Sequence, residues 1–435
     1  MKVLWVCNCL PRTVAMAAGR NYGNKEGWLD GALGKLIQSS ITDNDRDSII
    51  PALAVPVHVQ NKEISEYRHS DINMGSECVI SLYEYGEDID HPENYDPNLE
   101  QVFGKIVNDC RPDIVHVFGT EFPHTLAVSR VVYKLNVSGE NIRLLIGLQG
   151  IISECALKYT DGLPRSVVYG KTFRDRIRKD NIASQQMKFI KRGEYETEAI
   201  TYATDITGRT EFDRNWASSH NPKATYHHMN ETMRKEFYEG TWDVTECDRH
   251  VIFMSQGDYS LKGLHKVLSV MPGIISRYPD ARLRVAGIDI INKDPIRITY
   301  YGKYLSQLIK ENSLADHVTM LGSLSAEQMK REYLNCNTFL IASSVENSPN
   351  SMGEAMLLGV PVVAARVGGV PSMADDNMEV MMFDDIGELP DILDKLWSDD
   401  GEATELGAAA MLKAGITHNA EDNLNRLLEI YEGIC

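Results

Sequence analysis

Residues Thr338–Ala365 read TFLIASSVENSPNSMGEAMLLGVPVVAA. Thr338–Ala342 is a short apolar run that forms a strand, and Ser343–Asn350 is rich in turn formers. A helix is expected from about Met352 to Leu358. Gly359 stands where a helix ends in the left-handed region, and Pro361 opens the next strand. The loop leaves the C-terminal end of a parallel strand, the edge at which open α/β sheets take ligands. The helix start offers free N–H groups and a positive dipole end, which suit phosphate. Gly353 lets the backbone come close to a ligand. Glu346 leaves the strand end within reach of a sugar hydroxyl. Glu354, one turn into the helix, has two oxygens that can each accept one O–H of a ribose diol. The plainer reading is local: Ser351-Met352-Gly353-Glu354 has the sequence of a capping box, in which Glu354 only caps its helix.

The alternation continues outward. Lys2–Cys7, Ala52–Val59, Cys78–Leu82, Ile114–Val117, Arg143–Leu148 and Ile206–Gly208 are candidate strands in the first half. Val251–Ser255, Arg282–Ala286, Val318–Leu321, Thr338–Ala342, Pro361–Ala365 and Val380–Phe383 follow. Short Val/Ile/Leu-rich runs separated by helical segments are the pattern of parallel sheets buried on both faces, hence an α/β architecture. A chain of 435 residues exceeds one ordinary core. The polar stretch Thr241–Arg249 precedes a fresh strand, so the expected organisation is 1–243 and 244–418, with 419–435 as a terminal helix packing back on the first domain. Leu424, Leu427, Leu428 and Tyr431 share one face of that helix. Glu84–Asp96, acidic and proline-containing, reads as a surface loop.

A net charge of -18 argues against broad binding to nucleic acid. No apolar run approaches the roughly 20 residues of a membrane-spanning helix. Met1–Cys7 reads as a buried strand and not as a signal peptide. The 8 cysteines form no C-x-x-C pair, which points to a reducing cytoplasm. From Arg165 to Arg192 nine basic residues face two acidic ones. Such an island attracts phosphate or an anionic membrane surface, or is simply a solvated helix face.

Glu346 and Glu354 stand in an E-x7-E relation inside ENSPNSMGEAMLLGVPVVAARVGGVPSM, with Gly368-Gly369-Val370-Pro371 downstream. This segment resembles the donor site of family 4 glycosyltransferases. The resemblance implies the GT-B fold: two Rossmann-like domains with parallel sheets facing a central cleft. It also implies a retaining, metal-independent transfer from a nucleotide-diphosphate sugar. In VIFMSQGDYSLKG, Val251–Gly263, Lys262-Gly263 matches the family's diphosphate-holding pair, a lysine acting as a compact point charge. Gln256 and Gly257 stand where the family usually has an arginine. Leu324, after Gly322-Ser323, falls beside the nucleobase in the resemblance. The loop Asn8–Glu26 and Gly27-Trp28 stand in place of the family's Gly-rich turn near the donor phosphates. The absence of G-x-G-x-x-G after the first strand argues against a dinucleotide-binding domain.

Gly119–His124 follows the strand Ile114–Val117. His124 is the expected functional histidine there, hydrogen-bonding the transferred sugar or acceptor, with Glu121 beside it. Gln149-Gly150 occupies the family's His-Gly place, and Gln149 can hydrogen-bond but not titrate. Arg209, in GRTEFDRNWA, is a further acceptor-side candidate, and this segment with Asn230–Arg234 resembles transferases of bacterial surface polysaccharides. His116 is read as structural. The resemblance covers nearly the whole chain and is closest over Val251–Met373.

Donor binding is therefore expected from Glu354, Lys262, Asn350, Ser351, Met352, Gly353, Gly27, Leu324 and Gln256. Catalysis is expected from Glu346, His124 and Lys262. The donor is expected to be a UDP-sugar in preference to a GDP-sugar, with no cofactor or metal. The acceptor is a glycan or lipid-linked molecule, reached from the inner face of the cytoplasmic membrane. Asp88-Ile89-Asp90 is a D-x-D in an acidic loop and is set aside as a metal site. Asp43–Asp47 lacks the glycine and closing glutamate of a calcium loop. His227 and His228 would point apart on a strand. Two alternatives stay open: a sugar-nucleotide epimerase on the same fold, and an inactive nucleotide-sugar-binding protein.

Overall fold

The computed structural model describes residues 1–22, 27–42, 49–58, 66–75 and 78–435. The rejected calcium loop and residue 59 of the second expected strand lie outside them. Among the described residues fourteen strands form two sheets. In chain order they are β1 (Val3–Val6), β2 (Ala52–His58), β3 (Tyr67–Gly75), β4 (Cys78–Glu87), β5 (Ile114–Phe118), β6 (Arg143–Gly147), β7 (Asp205–Gly208) and β8 (Thr225–His228). Then come β9 (Val251–Met254), β10 (Arg282–Ala286), β11 (Val318–Gly322), β12 (Thr338–Ile341), β13 (Val362–Ala365) and β14 (Met381–Phe383).

The first sheet has the order β3-β4-β2-β1-β5-β6-β7-β8 and the second β11-β10-β9-β12-β13-β14. All neighbouring pairs are parallel except β3 with β4. β3 is not among the expected strands: YRHSDINMG is polar and half exposed along its length, so it shows none of the apolar run that marks a buried strand. It is an antiparallel edge strand. β4 runs on to Glu87, so Glu84 and Glu87, read as loop, are buried strand residues.

The chain forms two compact units, neither a contiguous piece of sequence. Met1–Ser153, Lys188–Arg234 and His418–Cys435 form one; Glu154–Met187 and Lys235–Thr417 form the other. This differs from a single divide at 243/244. The stretch read as a linker joins the second unit because Trp242 is buried, donating its backbone N–H to Leu358 O at 2.7 Å and its indole N–H to Cys336 O at 2.7 Å.

In the first unit alternate residues of each strand feed opposite faces of the sheet. Leu4, Val6, Val115, Val117, Leu144 and Ile146 pack on one face. Val3, Trp5, Cys7 and Leu145 pack on the other, against Trp28, Leu29 and Leu33. The terminal helix Ala420–Ile434 adds Leu424, Leu427, Ile430, Tyr431 and Ile434 to that second face. Tyr431 is its anchor: its hydroxyl accepts from the Trp5 indole at 2.8 Å and lies 2.7 Å from His116 Nδ1. His116, fully buried on β5, is thus a structural residue, and burial pushes its imidazole down to about 3.

Each sheet reverses its direction of growth once. In the first, the chain builds outward from β1 through β2 and β4, then returns to β5 on the other side of β1. In the second it builds from β9 through β10 to β11, then returns to β12. At these two switch points the loops at the carboxyl ends part, leaving a crevice for a ligand.

Candidate active site

The switch point of the second sheet gathers the residues read as the donor site apart from Gly27, which lies in the first unit. β9 ends at Met254 with Gln256 just beyond, and Ser260–Lys262 makes a single 3-10 turn. Gly263 caps the next helix, which opens at Leu264. Gly263 has φ +73°, and a Cβ there would fall on the carbonyl of Ala342. Only glycine lets this turn press against the end of β12. The contact carries Lys262 to the β12 loop, where its Nζ lies 2.5 Å from Glu346 Oε1. Ser343 Oγ donates to the same carboxylate oxygen at 2.6 Å. Gly368 holds Glu346 from behind: its φ is +53°, its Cβ position is filled by the Glu346 carbonyl, and Gly369 N–H donates to that carbonyl at 3.0 Å. The downstream Gly-Gly pair therefore positions the first glutamate. Burial disfavours the charge on Lys262, but the facing Glu346 carboxylate outweighs it, with Tyr259 adding to the effect, and the ammonium is held well above the ordinary lysine range.

The helix beyond the loop starts at Asn350, two residues earlier than expected, behind Pro349, and no side chain caps it. The capping box read at Ser351–Glu354 does not form, because Ser351 is already inside the helix. Met352 N–H turns back to Pro349 O at 2.9 Å, so it is not among the donors open to a ligand. Ser348 Oγ, in the same loop, is buried without a hydrogen-bond partner. A buried hydroxyl left in that state costs free energy unless something binds it. Glu354 is buried and accepts from Tyr333 OH at 3.3 Å; that hydroxyl also lies 3.1 Å from Ser351 O. Gly353 is buried in the first turn, and Leu324 is half-buried after β11. All of these stand at the carboxyl edge of the second sheet.

Sequence reading missed a second lysine. Lys266, one turn after Lys262, reaches Ser344 Oγ at 2.9 Å and Asp161 Oδ2 at 2.6 Å. Its four-residue spacing from Lys262 carries no helix-face signal, because Lys262 lies in the 3-10 turn and the helix opens only at Leu264.

The switch point of the first sheet gathers the acceptor-side candidates. His124 opens the helix Pro123–Val137 and is fully buried. Its Nδ1 lies 2.7 Å from Glu87 Oε2, and its backbone N–H donates to Glu87 Oε1 at 3.1 Å. Its Nε2 lies 3.1 Å from Asn8 Oδ1. Both ring nitrogens are thus engaged inside the protein, which corrects the expectation that His124 touches substrate directly. It holds Asn8, whose amide N–H donates to Glu121 Oε2 at 3.4 Å. Glu121 Oε1 in turn accepts from Gly150 N–H at 3.1 Å. Asn8 and Glu87 escape sequence reading because one lies in the Asn8–Glu26 loop, where no single residue before Gly27 stands out, and the other in a stretch that reads as surface.

Gln149 and Arg209 meet at the next strand ends, Arg209 Nη2 donating to Gln149 Oε1 at 3.3 Å. Arg209 is half-buried and paired with Glu231. Burial lowers its guanidinium to about 10, against the upward pull of Asp213, Tyr226 and Glu121. Gly27 opens the helix Gly27–Thr42, and the Arg234 side chain fills the space where a Cβ would stand. Glu196, another missed residue, is buried and accepts from Thr120 Oγ1 at 2.6 Å, Ile152 N–H at 3.0 Å and Ser153 N–H at 2.8 Å. Burial raises its carboxyl to about 7 in spite of those donors.

Among the described residues no group of three or more His, Cys, Asp or Glu is placed to hold a metal ion. Asp90 of the D-x-D lies 3.4 Å from His58, and His227 lies 2.9 Å from Asp205. No helix among the described residues is long and apolar enough to cross a membrane.

Residues 241–412 match the family model described as Glycosyl transferases group 1. One subunit of the human Phosphatidylinositol N-acetylglucosaminyltransferase is 25% identical over 170 residues, 39% of this chain and 30% of that protein. The chain thus spans about three-tenths of the length of the first curated relatives it matches. Sucrose-phosphate synthase from Thermosynechococcus elongatus has a TM-score of 0.69 at 12% identity, covering 100% of this chain and 99% of that one. HepE of Anabaena, in complex with UDP and glucose, has a TM-score of 0.64 at 12% identity, with both chains covered at 100%. The fold is therefore GT-B: two Rossmann-like α/β domains.

Proposed function

We propose that this protein is a retaining, metal-independent glycosyltransferase that moves a sugar from a nucleotide-diphosphate donor to a glycan or lipid-linked acceptor. The observation that carries the reading is the Lys262–Glu346–Ser343 cluster, at the switch point of the second sheet and inside the segment matching the group 1 family. Lys262 supplies the charge that meets the leaving diphosphate, and the Asn350 and Ser351 N–H groups at the helix start supply fixed dipoles. Glu354 takes the ribose hydroxyls, and Gln256 and Leu324 flank the nucleotide. Glu346 orients the transferred sugar and stabilises positive charge as the glycosidic bond breaks. The departing phosphate accepts the proton of the attacking hydroxyl, which arrives on the face it leaves. Glu121, Gln149 and Arg209 form the acceptor side, with His124 holding Asn8 and Glu121 in place.

UDP is the preferred nucleotide; it is the one bound in HepE, which shares the fold. A lipid-linked acceptor agrees with the phosphatidylinositol named for the human relative. Work at the cytoplasmic face of a membrane, in surface polysaccharide synthesis, follows from the sequence resemblance and from the basic segment Arg165–Arg192.

A panel of UDP-, GDP- and ADP-sugars incubated with and without lipid-linked and glycan acceptors tests this. Acceptor-dependent release of UDP, unaffected by EDTA and giving the donor's anomeric configuration by NMR, is the expected result. Donor isomerisation without acceptor would establish the epimerase instead. Turnover abolished by EDTA and restored by manganese would remove the metal-free mechanism.

A further inference from the structure

The basic segment Arg165–Arg192 does not act as one surface. Lys188 pairs with Glu93 at 3.0 Å, and Arg192 donates twice to Glu121 O, at 3.0 and 2.8 Å. Both lie in the first unit and are committed to it. The portion Arg165–Lys179 belongs to the second unit and is different. Arg165, Lys171, Arg176, Arg178 and Lys179 are exposed, and Asp175 is the only acidic residue in that stretch.

Asp175 is buried and faces inward. Its carboxylate accepts from Thr172 N–H at 3.0 Å and from Tyr300 N–H at 2.8 Å, while Thr172 Oγ1 donates to Ile298 O at 2.8 Å. These bonds fix the rotation of the helix Phe173–Arg178 about its own axis. Residues two before and two after Asp175 lie about 200° around a helix from it. Phe173 and Ile177 are therefore held pointing outward, 66% and 64% exposed. Beside them stands Ile296, 68% exposed, on a turn that Asp294 pins by accepting the Ile296 N–H at 2.9 Å. Phe173, Ile177 and Ile296 line one open depression with Arg174, Arg178 and Arg297; Arg174 is paired with Asp180 at 2.7 Å, so the exposed Arg178 and Arg297 supply the depression's outward charge. One exposed apolar side chain needs no explanation, but three on a rigid scaffold ringed by guanidinium groups, in a protein of net charge -18, form a distinct surface.

We infer that this surface docks the second unit on an anionic lipid bilayer, with Phe173, Ile177 and Ile296 entering the headgroup layer and the surrounding arginines meeting lipid phosphates. The match is chemical. Apolar side chains flanked by cations suit an interface whose outer layer is negative and whose inner layer is hydrocarbon. An acidic chain reaches such a surface only through a local concentration of positive charge. The inference deepens the membrane part of the reading above and rests on it, while the nucleotide site stays separate in the same unit.

Co-sedimentation of the full chain with phosphatidylcholine vesicles, with and without phosphatidylglycerol, tests it. Binding is expected only to the anionic vesicles and is expected to fall as salt rises. Phe173→Ser/Ile177→Ser and, separately, Arg176→Gln/Arg178→Gln should each weaken vesicle binding at least about tenfold. Lys191→Gln should bind like the wild type. UDP affinity measured on every variant shows that the fold and nucleotide site persist. Absence of binding to anionic vesicles at low salt would overturn the inference without touching the transferase reading. So would vesicle binding that neither double variant reduces, or a self-association in solution that Ile177→Ser abolishes.

Discussion

Lys262 and Glu346, 84 residues apart in sequence, meet at 2.5 Å because the turn after β9 and the loop after β12 leave neighbouring strands at the sheet's switch point. Truncating the lysine leaves Glu346 partly buried with one partner fewer and removes the positive charge from the diphosphate position. Lys262→Ala should lower kcat about a hundredfold or more in a steady-state transfer assay. The lysine's affinity for its proton is raised in the folded state. The pair's contribution to stability is then fully present below the unfolded lysine value of about 10.4 and is lost only as pH rises through the higher folded one. A rate profile between about pH 6 and 9 should show no limb that vanishes in Lys262→Arg. Such a limb would mean the ammonium is not held as described.

The two glycines behind that pair carry a steric prediction. Gly263 and Gly368 both have positive φ, and each stands where a Cβ would strike a carbonyl. Gly263→Ala and Gly368→Ala should each destabilise the protein by about 2 kcal/mol or more, read from urea unfolding, and should weaken UDP binding. Gly34→Ala, where a Cβ meets open space inside a helix, should be neutral or slightly stabilising.

Glu196 should give the protein a measurable pH dependence. Its folded value, about 7, lies above that of an unfolded glutamate, so between about pH 4.5 and 7 the native state binds more protons than the unfolded state. Stability linked to this group therefore falls as pH rises through that window. Thermal unfolding from pH 5 to 8 should show wild type losing up to about 3 kcal/mol relative to Glu196→Gln, which has no titrating proton; its amide oxygen can take the Thr120 and Ile152 bonds, while its NH2 cannot accept from Ser153 N–H, a loss that does not vary with pH. Parallel curves would show that the carboxyl is already ionised at pH 5.

His124 and Asn8 are coupled through a single contact of 3.1 Å. If the imidazole works by holding Asn8, removing either should lower kcat, and removing both should cost little more than removing one. A double-mutant cycle on kcat/KM with His124→Ala and Asn8→Ala measures this, with an interaction energy of at least about 1 kcal/mol expected. Additive losses would give His124 a role of its own.

The architecture is legible where side chains are forced inward. Val, Ile and Leu runs such as Val251–Met254 and Val362–Ala365 are buried on both faces, and composition alone marks them. The edge strand β3 is not legible, since a strand paired on one side and half wet carries few apolar residues. The E-x7-E pair and Lys262 stand out in the sequence, but their geometry does not: the supposed capping box at Ser351 gives way to a helix starting behind Pro349. His124 stands out by its position after a strand, while its partners Glu87 and Asn8 are invisible because pairing across 37 and 116 residues leaves no local pattern. The split of Glu154–Met187 from its sequence neighbours is likewise a long-range packing result.

Calorimetric titration of UDP onto wild type, Lys262→Ala and Glu354→Ala, each checked for folding by circular dichroism, bears most directly on the site. Both variants are expected to stay folded and to bind UDP at least about tenfold more weakly. Wild-type affinity in both would place the nucleotide away from the β9 and β12 strand ends and contradict the assignment.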